Sequence, residues 1–476
     1  MKSYERKVLN LEHSSISQRR QILIVSMILL GAFIAVLNQT ILTSVLPDIM
    51  QDFNLSSTTA QWLTTIFMLI SGILIPVSAF LLNKFTIRQL FFTAMTCLVV
   101  GSLISFLSFN FTSLLIGRII QALGAGILLP LSQTVLFLLF SVEKRGVAMG
   151  VFGLVIGFAP AIAPVLSGYI VNIMTWKVLF LIILAISLLD FVISLFFMEN
   201  VSEVNPMRLD IFSVVLSTLG FGGILFSVSI AGEIGWLHPI SIGSIIIFAL
   251  ILTAFILRQL KLTQPVLEFR VYKYVNFTIS TVLIVFMIVI FMGSMSILPL
   301  YLESIHDKTA FGVGLVLLPG GILLGILSPV GGRIYDILGP KLLSICSMIF
   351  IFIGGLVLAF TTISTSIPQI IIGFSLISVG SAGIMTPMTT AAINALPPHL
   401  ITHGTAMNNT IRQVASAIGT ALLITLMSTV SKASTHGHLL AMISGFKAVY
   451  IAVSFIALLG IILSFFIEQN KYTEGE

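Results

Sequence analysis

Two arginines, Arg118 and Arg412, stand inside long apolar runs, each with amide side chains close by in the chain. Gln121 follows Arg118 by one helical turn, and Arg412 lies in Asn408-Asn409-Thr410-Ile411-Arg412-Gln413. A further amide pair, Asn38-Gln39, interrupts the first apolar run. A cation at membrane depth costs roughly 2.5–3.5 kcal/mol on insertion scales, so such an arginine must face protein or a wet cavity. Snorkelling to the nearer membrane surface is the competing reading for Arg118, and anchoring at the inner surface for Arg412. The acids nearest membrane depth are Asp190, Glu233 and Glu303, of which Asp190 is the deepest. No paired carboxylates, metal-spaced histidines or Ser/His pair occur within the runs, which argues against an enzyme. His399, His403, His436 and His438 fall in connecting loops. No G-x-x-x-x-G-K-[ST] phosphate loop is present, so nucleotide hydrolysis by this chain is not expected.

The elements that must position these residues follow from composition. Of 476 residues, 57% are hydrophobic and 8% are charged, with a mean hydropathy of +1.14. Soluble domains average roughly 25% charged residues, so lipid rather than water is the solvent. The net charge of +6 sits at the ends of apolar runs, which sets nucleic acid aside as a partner. Cys97 and Cys346 both lie in apolar runs and offer neither a disulfide framework nor a zinc pattern. A spanning helix needs about 20 apolar residues, and about fourteen runs meet that length. They cover 22–46, 58–82, 89–108, 112–139, 146–170, 177–198, 209–230, 239–257, 275–302, 312–330, 342–361, 367–390, 405–430 and 443–467. Lys and Arg collect on one side, 17 against 3 or 4, which predicts cytoplasmic termini and an even number of spans.

An internal repeat organises the spans. Ala79-x-x-x-Asn83-Lys84-x-Thr86-x-Arg88 aligns with Gly332-x-x-x-Asp336-Ile337-x-Gly339-x-Lys341. Ala125-Gly126-Ile127-x-x-Pro130 returns as Ala382-Gly383-Ile384-x-x-Pro387. Equivalent loops therefore stand eight spans apart, which implies two six-span halves, 22–198 and 275–467. The segment 199–274 would carry two inserted spans, and 1–21 and 468–476 would be cytoplasmic tails. Repeated halves around a central site are the architecture that alternating access uses. In the fifth run, Gly150, Gly153, Gly157, Pro160, Pro164 and Gly168 fall on one arc of about 80° at the helical period. A stripe without bulky side chains lets another helix approach closely. Arg333, Asp336 and Lys341 charge the loop after the tenth run, where the acid can hold neighbouring helix ends.

The chain resembles the major facilitator superfamily, in its fourteen-span drug:proton antiporter branch, and most closely the bacterial lincomycin-type and multidrug exporters. The resemblance runs nearly end to end. It includes Leu37-Asn38-Gln39-Thr40 with Leu46-Pro47, Arg118-x-x-Gln121, the fifth-run stripe, Trp176-Lys177-x-x-Phe180 and Gly235-Trp236. It continues through Leu318-Pro319-Gly320, the Gly331–Lys341 loop and the run from Leu396 to Gly419. It implies an all-α bundle in a bacterial cytoplasmic membrane that exports amphiphilic or cationic drug-like compounds. The energy source would be the proton gradient, with no cofactor or metal, and the chain would act as a monomer. A dedicated exporter of one lipid, peptide-like or antibiotic metabolite is the alternative, and a receptor or intramembrane enzyme a more distant one. The resemblance further implies that Arg118 and Gln121 couple proton and substrate, with Arg412 in a matching motif. The fifth-run stripe would form the seam between halves, with Ala-Pro where the family's motif has Gly-Pro. Asn38 stands where the family often has an acid, so the coupling carboxylate is expected at Asp190 or Glu303 instead. Asn38, Gln39 and Asn408 are left as candidate substrate contacts.

Overall fold

The structure, a computed structural model, describes residues 18–42, 45–141, 144–200, 210–263, 265–434 and 438–468. Lys2, Arg6, Lys7, Arg208, His436 and Lys471 lie outside them. Among the described residues, fourteen helical stretches are long and apolar enough to cross a membrane, in agreement with the runs read from sequence. The helices of the first half are α1 (Gln18–Thr40), a short α2 (Leu46–Phe53), α3 (Ser57–Lys84), α4 (Ile87–Phe106), α5 (Phe111–Leu139), α6 (Arg145–Ile173) and α7 (Lys177–Phe197). Two more follow, α8 (Ile211–Ile234) and α9 (Pro239–Lys261). The second half holds α10 (Val275–His306), α11 (Ala310–Leu338), α12 (Pro340–Ala359), α13 (Ile367–Met385), α14 (Pro387–Asn394), α15 (Ile401–Ala433) and α16 (His438–Ser464).

Several boundaries differ from the sequence reading. The tenth run, read as ending at 330, continues as helix to Leu338, so that Gly332, Arg333 and Asp336 lie in α11 rather than in a loop. The first run was expected to continue to residue 46, but α1 ends at Thr40 and α2 is a separate amphipathic turn. Trp176 Nε1 donates to Asp52 at 2.7 Å and its ring meets Phe53 edge-on, which pins α2 against the start of α7. The twelfth run is broken at Thr386, where Pro387 opens α14 because proline has no N–H to continue the ladder. The thirteenth extends to 401–433, beyond its expected limits.

Each half has its own apolar core, one drawn from residues 24–198 and one from 279–467. A third cluster joins them at the end of the bundle where the lysines and arginines gather. There Phe137, Met149 and Phe152 of the first half meet Phe277, Ile393 and Met407 of the second, with Phe221 and Phe255 of the two additional helices. Helix α8 packs on both α3 and α15 and so lies across one seam between the halves. Leu225 of α8 abuts Gly72, Trp62 and Phe226 rings lie 6.0 Å apart, and Trp236 Nε1 donates to Thr425 Oγ1 at 2.7 Å. Gly235 turns the chain there at φ +99, a conformation that favours glycine. Helix α9 packs chiefly on α8.

The opposite seam is the most extensive helix pairing among the described residues, α6 along α11. The glycine and proline stripe is what touches. A Cβ on Gly150 would lie 2.6 Å from Pro329 Cα, one on Gly153 would meet Ser328 and Thr386, and one on Gly157 would meet Leu324. Gly168 faces Phe311, and Pro164 lies against Gly314. On the facing helix, a Cβ on Gly332 would stand 2.1 Å from the Gly146 carbonyl oxygen. Two backbones meet there, so no side chain can move aside.

Gly332→Val is therefore expected to separate the helices and lower the thermal midpoint of the purified protein, since overpacking typically costs 1–3 kcal/mol. Gly243→Ala, at a site with nothing within 4 Å, should leave it unchanged or slightly raised.

A pH test reads the additional helices. Asp210 caps α8 and pairs with Arg258 of α9 at 2.8 Å. Partial burial pushes its carboxyl up, but hydrogen bonds from Ser213 and Arg258 and the Arg258 charge outweigh this and hold it below the usual range. A depressed carboxyl stabilises the fold above the unfolded pKa of roughly 3.9 and loses that contribution as pH falls through the folded value. Asp210→Asn should lower the melting temperature at pH 7, and the difference from the wild type should shrink as pH falls below roughly 3.9, measured by scanning fluorimetry.

Candidate functional site

Arg118 is completely buried, between α1, α3, α4 and α5. Its Nη1 donates to the Asn38 carbonyl oxygen at 3.0 Å, to Asn38 Oδ1 at 2.8 Å and to Gln121 Oε1 at 3.1 Å. Nε donates to the Leu63 carbonyl at 3.3 Å, and the guanidinium lies 4.3 Å from the centre of the Phe67 ring. Gln121 in turn donates to Ser102 Oγ at 3.0 Å. Sequence brought Arg118 and Gln121 forward together and Asn38 separately, and the fold assembles all three. The charge is met by carbonyls, amides and a π face, and no acid pairs with Arg118 among the described residues. Close packing builds the nest: a Cβ on Gly117 would strike Ser105, and one on Gly101 would strike Gln121. Two donors are left over, Arg118 Nη2 and Asn38 Nδ2, both buried without an acceptor. Gln39 beside them is half-buried.

The second-half amides occupy α15. Asn409 Nδ2 donates to Gln133 Oε1 at 2.6 Å, a buried hydrogen bond from one half to the other. Gln413 Nε2 reaches the Met68 carbonyl of α3 at 3.3 Å. Asn408 is 1% exposed, and neither atom of its amide has a partner. Arg412, one turn on, is half-buried, with no hydrogen bond or ion pair among the described residues.

At the basic end, Asp336 of α11 crosses to the first turn of α6, where its Oδ2 accepts from the Val147 N–H at 3.2 Å. A carboxylate at a helix N-terminus satisfies orphan N–H groups and the positive end of the dipole. Arg145 completes the crossing, donating to Asn394 Oδ1 at 3.1 Å and to the Phe137 carbonyl at 3.0 Å. Gly339, at φ +77, ends α11 three residues after this acid and turns the chain into α12. Arg333 is exposed and Lys341 half-buried. The side chain of Asn83, the matching position of the first half, is outside those described.

The two acids considered for coupling are placed differently. Asp190 is 1% exposed on the face of α7 that packs on α4 and α1, between buried Ser187 and Ser194, and its Oδ2 has no partner. Glu303 is exposed near the end of α10. The cross-half contacts of Gln133 and Arg145 were not singled out from sequence. A glutamine inside the fourth apolar run was the available signal for the first, and the third cluster, which depends on tertiary packing, had none.

Asp336→Ala is expected to weaken closure of the basic end by about 0.5–2 kcal/mol, the range for losing a helix-cap interaction. Faster labelling of a cysteine introduced at Asn394 should report it, relative to the same cysteine with Asp336 intact.

Comparison with known proteins bears on what this arrangement is for. A family model described as Major Facilitator Superfamily matches residues 28–420. An uncharacterized MFS-type transporter, YcnB of Bacillus subtilis, is 46% identical over 96% of this chain and 98% of its own length. The lincomycin resistance protein LmrB of Listeria innocua is 40% identical over 95% of this chain and 98% of its own. Among solved structures, the human organic anion transporter MFSD10 superposes with a TM-score of 0.67 at 12% identity, covering 93% of this chain and 99% of that one. At that identity the likeness speaks for the fold alone.

Proposed function

The chain belongs to the major facilitator superfamily, and from that premise we propose that it exports drug-like amphiphiles across a bacterial cytoplasmic membrane by proton antiport. The observation that carries the reading is the seam of α6 on α11, where backbones touch along the stripe and the Asp336 latch crosses at one end. A seam with few interdigitated side chains lets two rigid halves rock while staying in contact. The latch, the Gln133–Asn409 bond and the third apolar cluster all lie toward the basic end. With that end cytoplasmic, as the lysine and arginine asymmetry argues, this conformer is closed to the cytoplasm. Opening it must break those three features together, which makes closure cooperative. The relative named for lincomycin resistance supports an exported, drug-like cargo.

In this reading Arg118 is the coupling element of the first half. Its nest spends the acceptors of Asn38 and Gln121 and leaves Arg118 Nη2 and Asn38 Nδ2 open to a further acceptor. Asp190 carries the exchanged proton, because among the described residues it is the acid away from helix ends and loops. Its burial without a cation makes the charged form costly and protonation dependent on access.

Dye efflux from energised, overexpressing cells, followed before and after a protonophore, tests the proposal. Efflux should stop on uncoupling. Efflux that persists would contradict proton coupling, and no efflux of any amphiphile from cells with inserted protein would contradict the exporter reading. Arg118→Lys keeps a charge but loses the planar fork of donors, and is expected to cut efflux about tenfold or more with insertion unchanged, for loss of one to two charge-assisted bonds. Asp190→Asn should abolish proton release on dye addition while leaving dye binding in place.

A further inference from the structure

The charges at membrane depth do not balance. Two arginines stand there, and neither has an acidic partner among the described residues. Asp190 faces α4 and α1 inside the first half, and the other described acids lie at helix ends or in loops. Arg118 is at least solvated by its nest. Arg412 is not.

Helix geometry says where Arg412 points. At 100° per residue, Ala415 and Gly419 share one flank of α15, and Gly419 packs on Val289 of α10. Asn409 and Gln413 share the other flank, which bonds to α5 and α3 of the first half. Arg412 falls on the arc between those flanks and so faces the space between the halves. Asn408 is one turn toward the basic end, buried, with both amide atoms unpartnered. Gly404 against Phe277 and Gly419 against Val289 fix the register of the two helices. That register puts Asn408 level with Ser280 and Thr281 of α10, whose buried hydroxyls are also unpartnered. Donors therefore gather at one junction of α10 and α15 beside an unpaired guanidinium, with no carboxylate among the described residues to neutralise it.

We propose that this junction receives an oxyanion: the carboxylate, sulfonate or phenolate of an amphiphilic acid seats on Arg412, with Asn408 as the second donor. The inference rests on the exporter reading above and narrows its cargo from amphiphiles in general to acidic ones. A guanidinium and an amide N–H give charge-assisted bonds to such a group, whereas a cationic head would meet Arg412 with like charge and no acid to offset it. The same chemistry would also hold the phosphate of an anionic lipid, so the test separates the two sources.

The probe is 11-(dansylamino)undecanoic acid, compared with its primary amide and its trimethylammonium analogue, which share one fluorophore and chain. Binding is titrated on purified protein in nanodiscs of zwitterionic lipid. The acid should bind about tenfold or more tighter than the amide, and the cation weakest. Arg412→Ala should erase the difference by weakening the acid alone, Arg412→Lys should keep part of it, and Asn408→Asp, which places an acid in the junction, should reverse it. Amide affinity held constant across the variants shows that each is folded. Equal binding of the three heads, preference for the cation, or an acid preference that survives both Arg412→Ala and Asn408→Asp would overturn the proposal. Nanodiscs containing phosphatidylglycerol identify the source. Loss of acid binding there, in the wild type and not through micelle partitioning, names a lipid headgroup as the occupant, and unchanged binding names the free amphiphile. Flux in proteoliposomes keeps the two readings apart. Transport of the amide or the cation but not the acid overturns the oxyanion proposal and leaves the exporter standing, and acid-selective binding with no flux of any probe does the reverse.

Discussion

Everything in this molecule depends on two helices, α6 and α11, meeting backbone to backbone. In lipid there is no hydrophobic drive to press one helix on another, so close approach must come from small residues and van der Waals contact. The stripe from Gly150 to Gly168 supplies one surface, and Gly314, Ser328 and Gly332 supply the facing one. Once that contact exists, the halves are registered. The Asp336 carboxylate then finds the end of α6, and Asn409 of α15 finds Gln133 of α5. The additional helix α8 and the turn after it cover the other seam with bulky residues, Leu225 and Phe226 in the helix and Trp236 just beyond it. One seam is thus smooth and the other is strapped.

The lack of water inside a bilayer explains the polar residues as well. A buried donor without an acceptor costs about 1–3 kcal/mol, and a charge more. Around Arg118 the chain meets the demand with carbonyls, amides and the Phe67 ring. Around Asn408, one turn from the half-buried and unpaired Arg412, it leaves the demand open. The contrast is between an arginine wrapped in protein acceptors and one without a protein partner, and the oxyanion proposal rests on it.

Much of the fold was legible in the sequence because bilayer thickness sets helix length, and because a stripe of small residues repeats at the helical period. Both follow from one-dimensional spacing. The α6 stripe and the acid at position 336 could be named before their partners were known, since a glycine arc or a helix-end acid has only a few uses. What could not be read was which surfaces would meet. Gln133 and Arg145 find their partners roughly 250 and more residues away, and nothing in local periodicity encodes that. The separate turn of α2 depends on Trp176 reaching Asp52, again a tertiary event. Asn38 shows the reverse case: as half of an amide pair in the first run it read as a substrate contact, whereas the fold commits its oxygens to Arg118 and leaves its nitrogen open.

The central claim is that two rigid halves rock about the α6–α11 seam, so that one end opens as the other closes. Paired spin-label distances test it most directly, with one pair at Arg88 and Leu342 on the basic end and another at Phe109 and Phe360 on the opposite end, all exposed positions. Rocking requires the two distances to change reciprocally when proton or an amphiphile is added, the first lengthening as the second shortens. Distances that stay fixed, or that lengthen together, would contradict it.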